Sequence, residues 1–201
     1  MKRALILDFG EVLVRPQPAA IVAEMAALAG LEVPEFHRRY WAYRPAYDCG
    51  LPATEYWPRV VNDALDGPRV SQATVAALIG ADARSWTDYR DEMWQLTADY
   101  RARGGKTAFL SNGIPEVMAL VRSQRRLPDY FDVVIVSCEV GFTKPDRRIY
   151  ELCLTQLGVA ARDAVFVDDR SANVDAAQKL GISTVWFRGD ESVVEVERAI
   201  A

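Results

Sequence analysis

Histidine is almost absent: His37 is the only one in 201 residues. That excludes a His-rich zinc site. Cysteine is scarce too. Cys49, Cys138 and Cys153 are far apart, and no two form a Cys-x-x-Cys pair. A disulfide framework is thereby excluded, and a reduced, cytoplasmic setting is expected. There is no basic excess, because 24 Lys and Arg against 28 Asp and Glu leave a net charge of −4. A dedicated nucleic-acid binder normally carries a basic field, so no nucleic-acid partner is expected. No apolar run approaches the roughly 18 residues of a membrane span, so no membrane partner is expected either. Met1-Lys2-Arg3 and the apolar Ala4 to Leu7 mimic a signal peptide. Asp8, Glu11 and Arg15 then interrupt the run, so no cleavable leader is expected.

What is present is an alternation. Half the residues are apolar, enough for a sizeable core without staples. Strand-length apolar runs occur at Ala4 to Phe9, Thr107 to Leu110, Val133 to Val136, Ala164 to Val167 and Thr184 to Phe187. They lack clean polar alternation, as expected of strands buried on both faces. Helical patterns separate the later runs: Pro115 to Arg126, Asp146 to Gly158, Asn173 to Gly181 and Glu191 to Ile200. Strand alternating with helix predicts an α/β fold with a doubly wound, mostly parallel, Rossmann-like sheet.

One gap breaks the rhythm. Between Phe9 and Thr107 nothing reads as a strand. The stretch is helical in four or five pieces, punctuated by Pro34, Pro45, Pro52, Pro68 and Gly80. The simplest division is a helical insert over residues 15–84 and a core made of residues 1–14 and 85–201. A helix from about Trp86 to Arg103 leads back to the sheet.

Ligands bind beyond the carboxyl ends of strands in such sheets. The residues that follow the runs are Asp8-Phe9-Gly10-Glu11, Ser111-Asn112-Gly113, Lys144-Pro145 after a short loop, and Asp168-Asp169. Taken singly, each has an ordinary reading as a helix cap, a turn or a helix start. Asp168-Asp169 is the strongest piece, since adjacent acids at the end of an apolar strand repel each other unless a cation sits there. Together the four fit phosphoryl transfer. Asp8 would be a carboxylate nucleophile. Asp8, Asp168 and Asp169 would form an all-oxygen pocket suited to Mg²⁺. Ser111, Asn112 and Lys144 would hold phosphate oxygens.

The four motifs, in order, resemble the haloacid dehalogenase (HAD) superfamily, in its branch with a helical cap after the first strand. They are Asp8-Phe9-Gly10-Glu11-Val12-Leu13, Phe109-Leu110-Ser111-Asn112, Lys144-Pro145 with Ile149-Tyr150, and Val167-Asp168-Asp169 with Asn173. Small bacterial sugar-phosphatase-like members with Gly in the first motif are the most similar subgroup. The resemblance implies a Mg²⁺-dependent phosphatase acting on a small phosphorylated metabolite. Asp8 would be the nucleophile, Ser111 and Lys144 phosphate ligands, and Asp169 a direct metal ligand with Asp168 beside it. The main-chain carbonyl of Gly10 would also reach the metal. Opening and closing of the cap would admit substrate and exclude water.

Gly10 is also a departure. The family places a second Asp there, which protonates the leaving group and then activates water. Three readings follow. Glu11 or another acid substitutes for it; the substrate is an anomeric, acyl or phenyl phosphate with a good leaving group; or the protein binds phospholigands with weak or no turnover. A metal-free 2-haloacid dehalogenase uses the same nucleophile, but it has no need of the Asp168-Asp169 pair.

The insert is rich in rings: Phe36, Tyr40, Trp41, Tyr43, Tyr47, Tyr56 and Trp57. Most are expected in its core. The Arg44 to Gly50 stretch contains Pro45 and Gly50, and reads as a specificity loop presenting Arg44, Tyr47 and Asp48 to substrate. His37 is expected to be an ordinary residue of the insert. Cys138 is expected to be a packed thiol. Arg122, Arg125 and Arg126 are expected on a solvated helix end.

Overall fold

The structure is a computed structural model, described here for residues 3–64 and 69–201. Five strands, β1 (Ala4–Leu7), β2 (Thr107–Ser111), β3 (Val133–Val136), β4 (Ala164–Asp168) and β5 (Ser183–Trp186), form one sheet in the order β3-β2-β1-β4-β5. Every neighbouring pair is parallel. The strand order reverses beside β1, and there the carboxyl ends of β1 and β4 open a crevice. In register, Leu7 faces Val167 of β4 and Phe109 of β2, so Asp8, Asp168 and Ser111 leave the sheet close together.

The absence of polar alternation in the strands has a physical cause. Leu5, Leu7, Phe109, Val165 and Val167 pack on one face of the sheet, and Ala4, Ile6, Leu110 and Phe166 on the other. Both sets are buried, because helices cover both sides.

Four helices fill the gap after β1: α1 (Ala19–Leu28), α2 (Val33–Asp48), α3 (Ala53–Asn62) and α4 (Gln72–Ser85). The chain returns through α5 (Asp91–Ala102), which is shorter than the expected Trp86 to Arg103. Trp86 to Arg90 form a connection instead, pinned by a bridge between Val14 and Tyr89 and by the Trp94 indole donating to the Leu13 carbonyl at 2.9 Å. After β2 come α6 (Pro115–Gln124), the short α7 (Ser137–Val140), α8 (Arg147–Leu157), α9 (Ser171–Lys179) and α10 (Ser192–Ile200). α6 and α10 contribute to the first core face, α8 and α9 to the second. Gly158 caps α8 in the left-handed conformation at φ 63°.

Two expected breaks do not occur. Pro45 lies inside α2, and Gly80 lies inside α4. The Arg44 to Gly50 stretch is therefore helix as far as Asp48, not a loop. Tertiary packing outweighs the proline: Phe36, Tyr40 and Tyr47 on the same helix are all buried. Pro68 lies outside the described residues. Phe36, Tyr40, Tyr47, Tyr56 and Trp57 form the expected aromatic core of the insert, with Tyr47 and Tyr56 stacked at 4.2 Å. This core is continuous with the sheet face beneath it. Arg125 does not stand on a solvated helix end; its guanidinium lies over the Tyr89 and Trp94 rings. No helix among the described residues is long and apolar enough to cross a membrane.

Candidate active site

A cavity of about 390 Å³ lies between the carboxyl edge of the sheet and the insert. The core side supplies Asp8, Gly10, Ser111, Asn112, Lys144 and Asp169. The insert side supplies His37, Trp41, Arg44 and Asp48, and Trp86 reaches in from just beyond α4.

Lys144 is the hub. Its Nζ stands 2.7 Å from an Asp8 carboxylate oxygen and 2.6 Å from one of Asp168. The side chain is almost wholly buried, so both contacts are little screened by water. Burial works against the ammonium, but the charges of Asp168 and Asp8 hold its pKa above the ordinary lysine value. The backbone of Lys144 is held as firmly as its tip. The Asn112 amide donates to the Lys144 carbonyl at 2.8 Å, and the Asn112 side-chain oxygen accepts from the Lys144 N–H at 2.7 Å.

Asp168 is fully buried at the end of β4. It accepts from Lys144, from the Arg170 N–H at 2.9 Å, and from the Asn173 amide at 2.9 and 3.1 Å. Asp169 points into the cavity. Asp8, Asp168 and Asp169 each offer a carboxylate oxygen within 4.8 Å of the others. Burial pushes the Asp8 carboxyl up to about 6, and the Asp168 charge adds to that, against the pull of Lys144. Burial pushes Asp169 up to about 8, reinforced by the charges of Asp8, Asp168 and Glu11. Three carboxylates facing one ammonium have unmet need for positive charge. An all-oxygen donor set with that deficit fits a hard divalent cation such as Mg²⁺.

Several expected residues sit differently from their sequence reading. Asn112 reaches the cavity wall, and its side chain also holds the Lys144 backbone, one amide N–H going to the lysine carbonyl. Arg44 does line the cavity, from within α2, and pairs with Asp48 at 2.7 Å. Tyr47 does not line it. Its hydroxyl donates to Glu116 of α6 at 2.9 Å, tying the insert to the core. Asp48 is tied down as well: its carbonyl accepts from the Ser137 hydroxyl at 2.6 Å. His37 stands exposed at the cavity and accepts from the Trp41 indole N–H at 3.0 Å. Cys138 is half-buried, and burial pushes its thiol up to about 11.

Trp86 was not legible as a site residue. It comes to Gly10 from the connection just after α4, with no motif around it.

The family model for haloacid dehalogenase-like hydrolases matches residues 2–181, most of the chain. The chain belongs to that hydrolase family. Among curated relatives of this HAD protein, acyl-CoA dehydrogenase family member 10 of Mus musculus is 36% identical over 113 residues, 54% of this chain and 10% of that protein. The phosphoserine phosphatase of Thermus thermophilus is 36% identical over 146 residues, 68% of this chain and 58% of that enzyme. The matches thus span less than two thirds of these relatives' lengths. A solved HAD-family enzyme from Bacteroides thetaiotaomicron, in its magnesium complex, has the same fold with TM-score 0.79 at 21% identity, covering 98% of each chain.

Proposed function

We propose that this HAD hydrolase is a Mg²⁺-dependent phosphatase that hydrolyses a small organic phosphate through an aspartyl-phosphate on Asp8. The observation that carries this reading is one buried lysine bridging Asp8 and Asp168 at 2.7 and 2.6 Å, with the Asp169 carboxylate gathered beside them. Two likenesses support it. The Thermus relative is a phosphoserine phosphatase, and the Bacteroides enzyme has been solved with magnesium and inorganic phosphate.

Asp8, Asp169 and the Gly10 carbonyl would hold Mg²⁺, with Asp168 behind them. When bound, the ion supplies positive charge against the charge spreading over the phosphoryl oxygens. The remaining work falls to the protein. An Asp8 carboxylate oxygen attacks phosphorus in line with the departing oxygen. Lys144 and the Ser111 hydroxyl hold phosphoryl oxygens. Asp168 fixes the tip of Lys144, and Asn112 fixes its backbone. Arg44 faces the organic part of the substrate from the insert. Residues 15–84 act as a cap whose closure excludes water.

Gly10 favours a second reading, in which the same pocket binds phospholigands with little or no turnover. para-Nitrophenyl phosphate separates the two, because its phenolate leaves without much protonation. The phosphatase reading expects Mg²⁺-dependent release of nitrophenolate. Folded protein that binds Mg²⁺ and phosphate but releases none would transfer the conclusion to the binding reading.

A further inference from the structure

The place beside Gly10 is not empty. A Cβ at residue 10 would stand 3.6 Å from Cζ3 and 4.0 Å from Cη2 of the Trp86 ring. The indole therefore abuts the position where a side chain of residue 10 would begin. It is also held there. Its N–H donates to the Asp82 carboxylate at 3.3 Å, and Asp82 is fully buried and accepts from the Tyr40 hydroxyl at 2.7 Å. A ring fixed in this way puts an apolar carbon surface beside residue 10, where the family's usual acid would stand.

Most other titratable groups on the cavity wall already have a partner or a role: the Lys144 ammonium is bound between Asp8 and Asp168. Asp8 is the nucleophile, and Asp169 belongs with the metal-binding carboxylates. Asp48 is paired with Arg44. The His37 Nε2 is turned to the Trp41 indole. Glu11 stands exposed, and its backbone, at φ 55°, is in the left-handed region.

We propose that the site serves phosphates whose leaving group departs without a proton from the enzyme: esters of phenols and enols, or mixed anhydrides of carboxylic acids. The inference rests on the phosphatase reading and names its substrate class. In the first step the Asp8 oxygen–phosphorus bond forms and the phosphorus–oxygen bond to the leaving group breaks. The electron pair leaves on that oxygen as a phenolate, enolate or carboxylate, which takes any proton from solvent. Water then attacks phosphorus, its oxygen–phosphorus bond forms as the phosphorus–oxygen bond to Asp8 breaks, its proton passes to solvent, and inorganic phosphate and the Asp8 carboxylate are released. An alkyl phosphate such as phosphoserine would have to expel an alkoxide unaided.

Phenyl phosphate and benzyl phosphate test this, because they are similar in shape and differ in leaving-group acidity. kcat/KM reports the first irreversible step. General acid help is typically worth roughly 10²–10⁴-fold, so its absence should lower kcat/KM for benzyl relative to phenyl phosphate by at least ~10²-fold. A smaller ratio overturns the proposal. Glu11→Gln and His37→Gln are expected to leave the ratio unchanged; a ratio that widens on either substitution makes that residue the proton donor and also overturns it. Failure of the underlying reading looks different: phenyl phosphate would then show no turnover that depends on Asp8.

Discussion

Asn112 grips Lys144 by both polar groups of its backbone, donating to the carbonyl at 2.8 Å and accepting from the N–H at 2.7 Å. The lysine that bridges Asp8 and Asp168 is thereby fixed at its root as well as at its tip. Asn112 and Lys144 follow different strands, so this pair also ties together the carboxyl ends of β2 and β3.

The grip predicts how Asn112→Ala behaves. Each of the two lost hydrogen bonds is worth about 0.5–1.5 kcal/mol, so the variant should unfold at measurably lower denaturant. The larger effect falls on turnover. A displacement on the order of 1 Å in a positioning element can cost about 10²-fold, and Lys144 would lose its register with Asp8. Steady-state kinetics on an aryl phosphate should show the loss mainly in kcat. A variant that is less stable but equally fast would show that Asn112 serves the fold alone.

Metal-free stability should fall with rising pH. Asp8 and Asp169 are raised to about 6 and about 8 in the folded protein. A raised carboxyl stabilises the fold fully below its unfolded value, near 4, and that contribution is lost as pH rises through the folded value. Between pH 5 and pH 8 the Tm in EDTA should therefore drop. On the proposed reading Mg²⁺ binds the ionised carboxylates, so the Tm increment it gives should be small at pH 5 and large at pH 8. Thermal unfolding at the two pH values, with EDTA or Mg²⁺, checks this. An increment that does not grow with pH would contradict the assignment of these carboxylates.

Tyr47 makes a contrasting case. Its hydroxyl serves Glu116 and not the cavity. Tyr47→Phe should cost about 1 kcal/mol, the value of a typical hydrogen bond, and leave KM unchanged. Urea unfolding and saturation kinetics measure the two quantities on one preparation. A raised KM would return Tyr47 to the substrate's side of the insert.

These cases also mark where the sequence is informative. Asp8, Ser111 and Asp168 were legible because each ends or follows a run that is apolar on both faces, and parallel strands place such ends on one edge. Lys144 follows its strand only after α7 and a loop, and its place was legible through the motif. The grip of Asn112 on the Lys144 backbone was not, since nothing in Ser-Asn-Gly says that the side chain reaches another segment. Pro45 misled for a different reason. A proline inside a helix is costly by local preference, but Tyr40, Tyr47 and Phe36 bury enough ring surface to hold α2 through it. The place of the Trp86 ring beside residue 10 depends on how the chain returns to the sheet after α4, and local pattern carries no trace of that.

The covalent step is the centre of the account, and trapping it tests it most directly. The protein would be mixed with para-nitrophenyl phosphate and Mg²⁺, quenched in acid within the first turnover, and digested for mass spectrometry. A phosphoryl group is expected on the peptide carrying Asp8, absent without Mg²⁺ and absent in Asp8→Asn, which should also lose turnover. Turnover retained by Asp8→Asn, or a phosphoryl group on another residue, would contradict it.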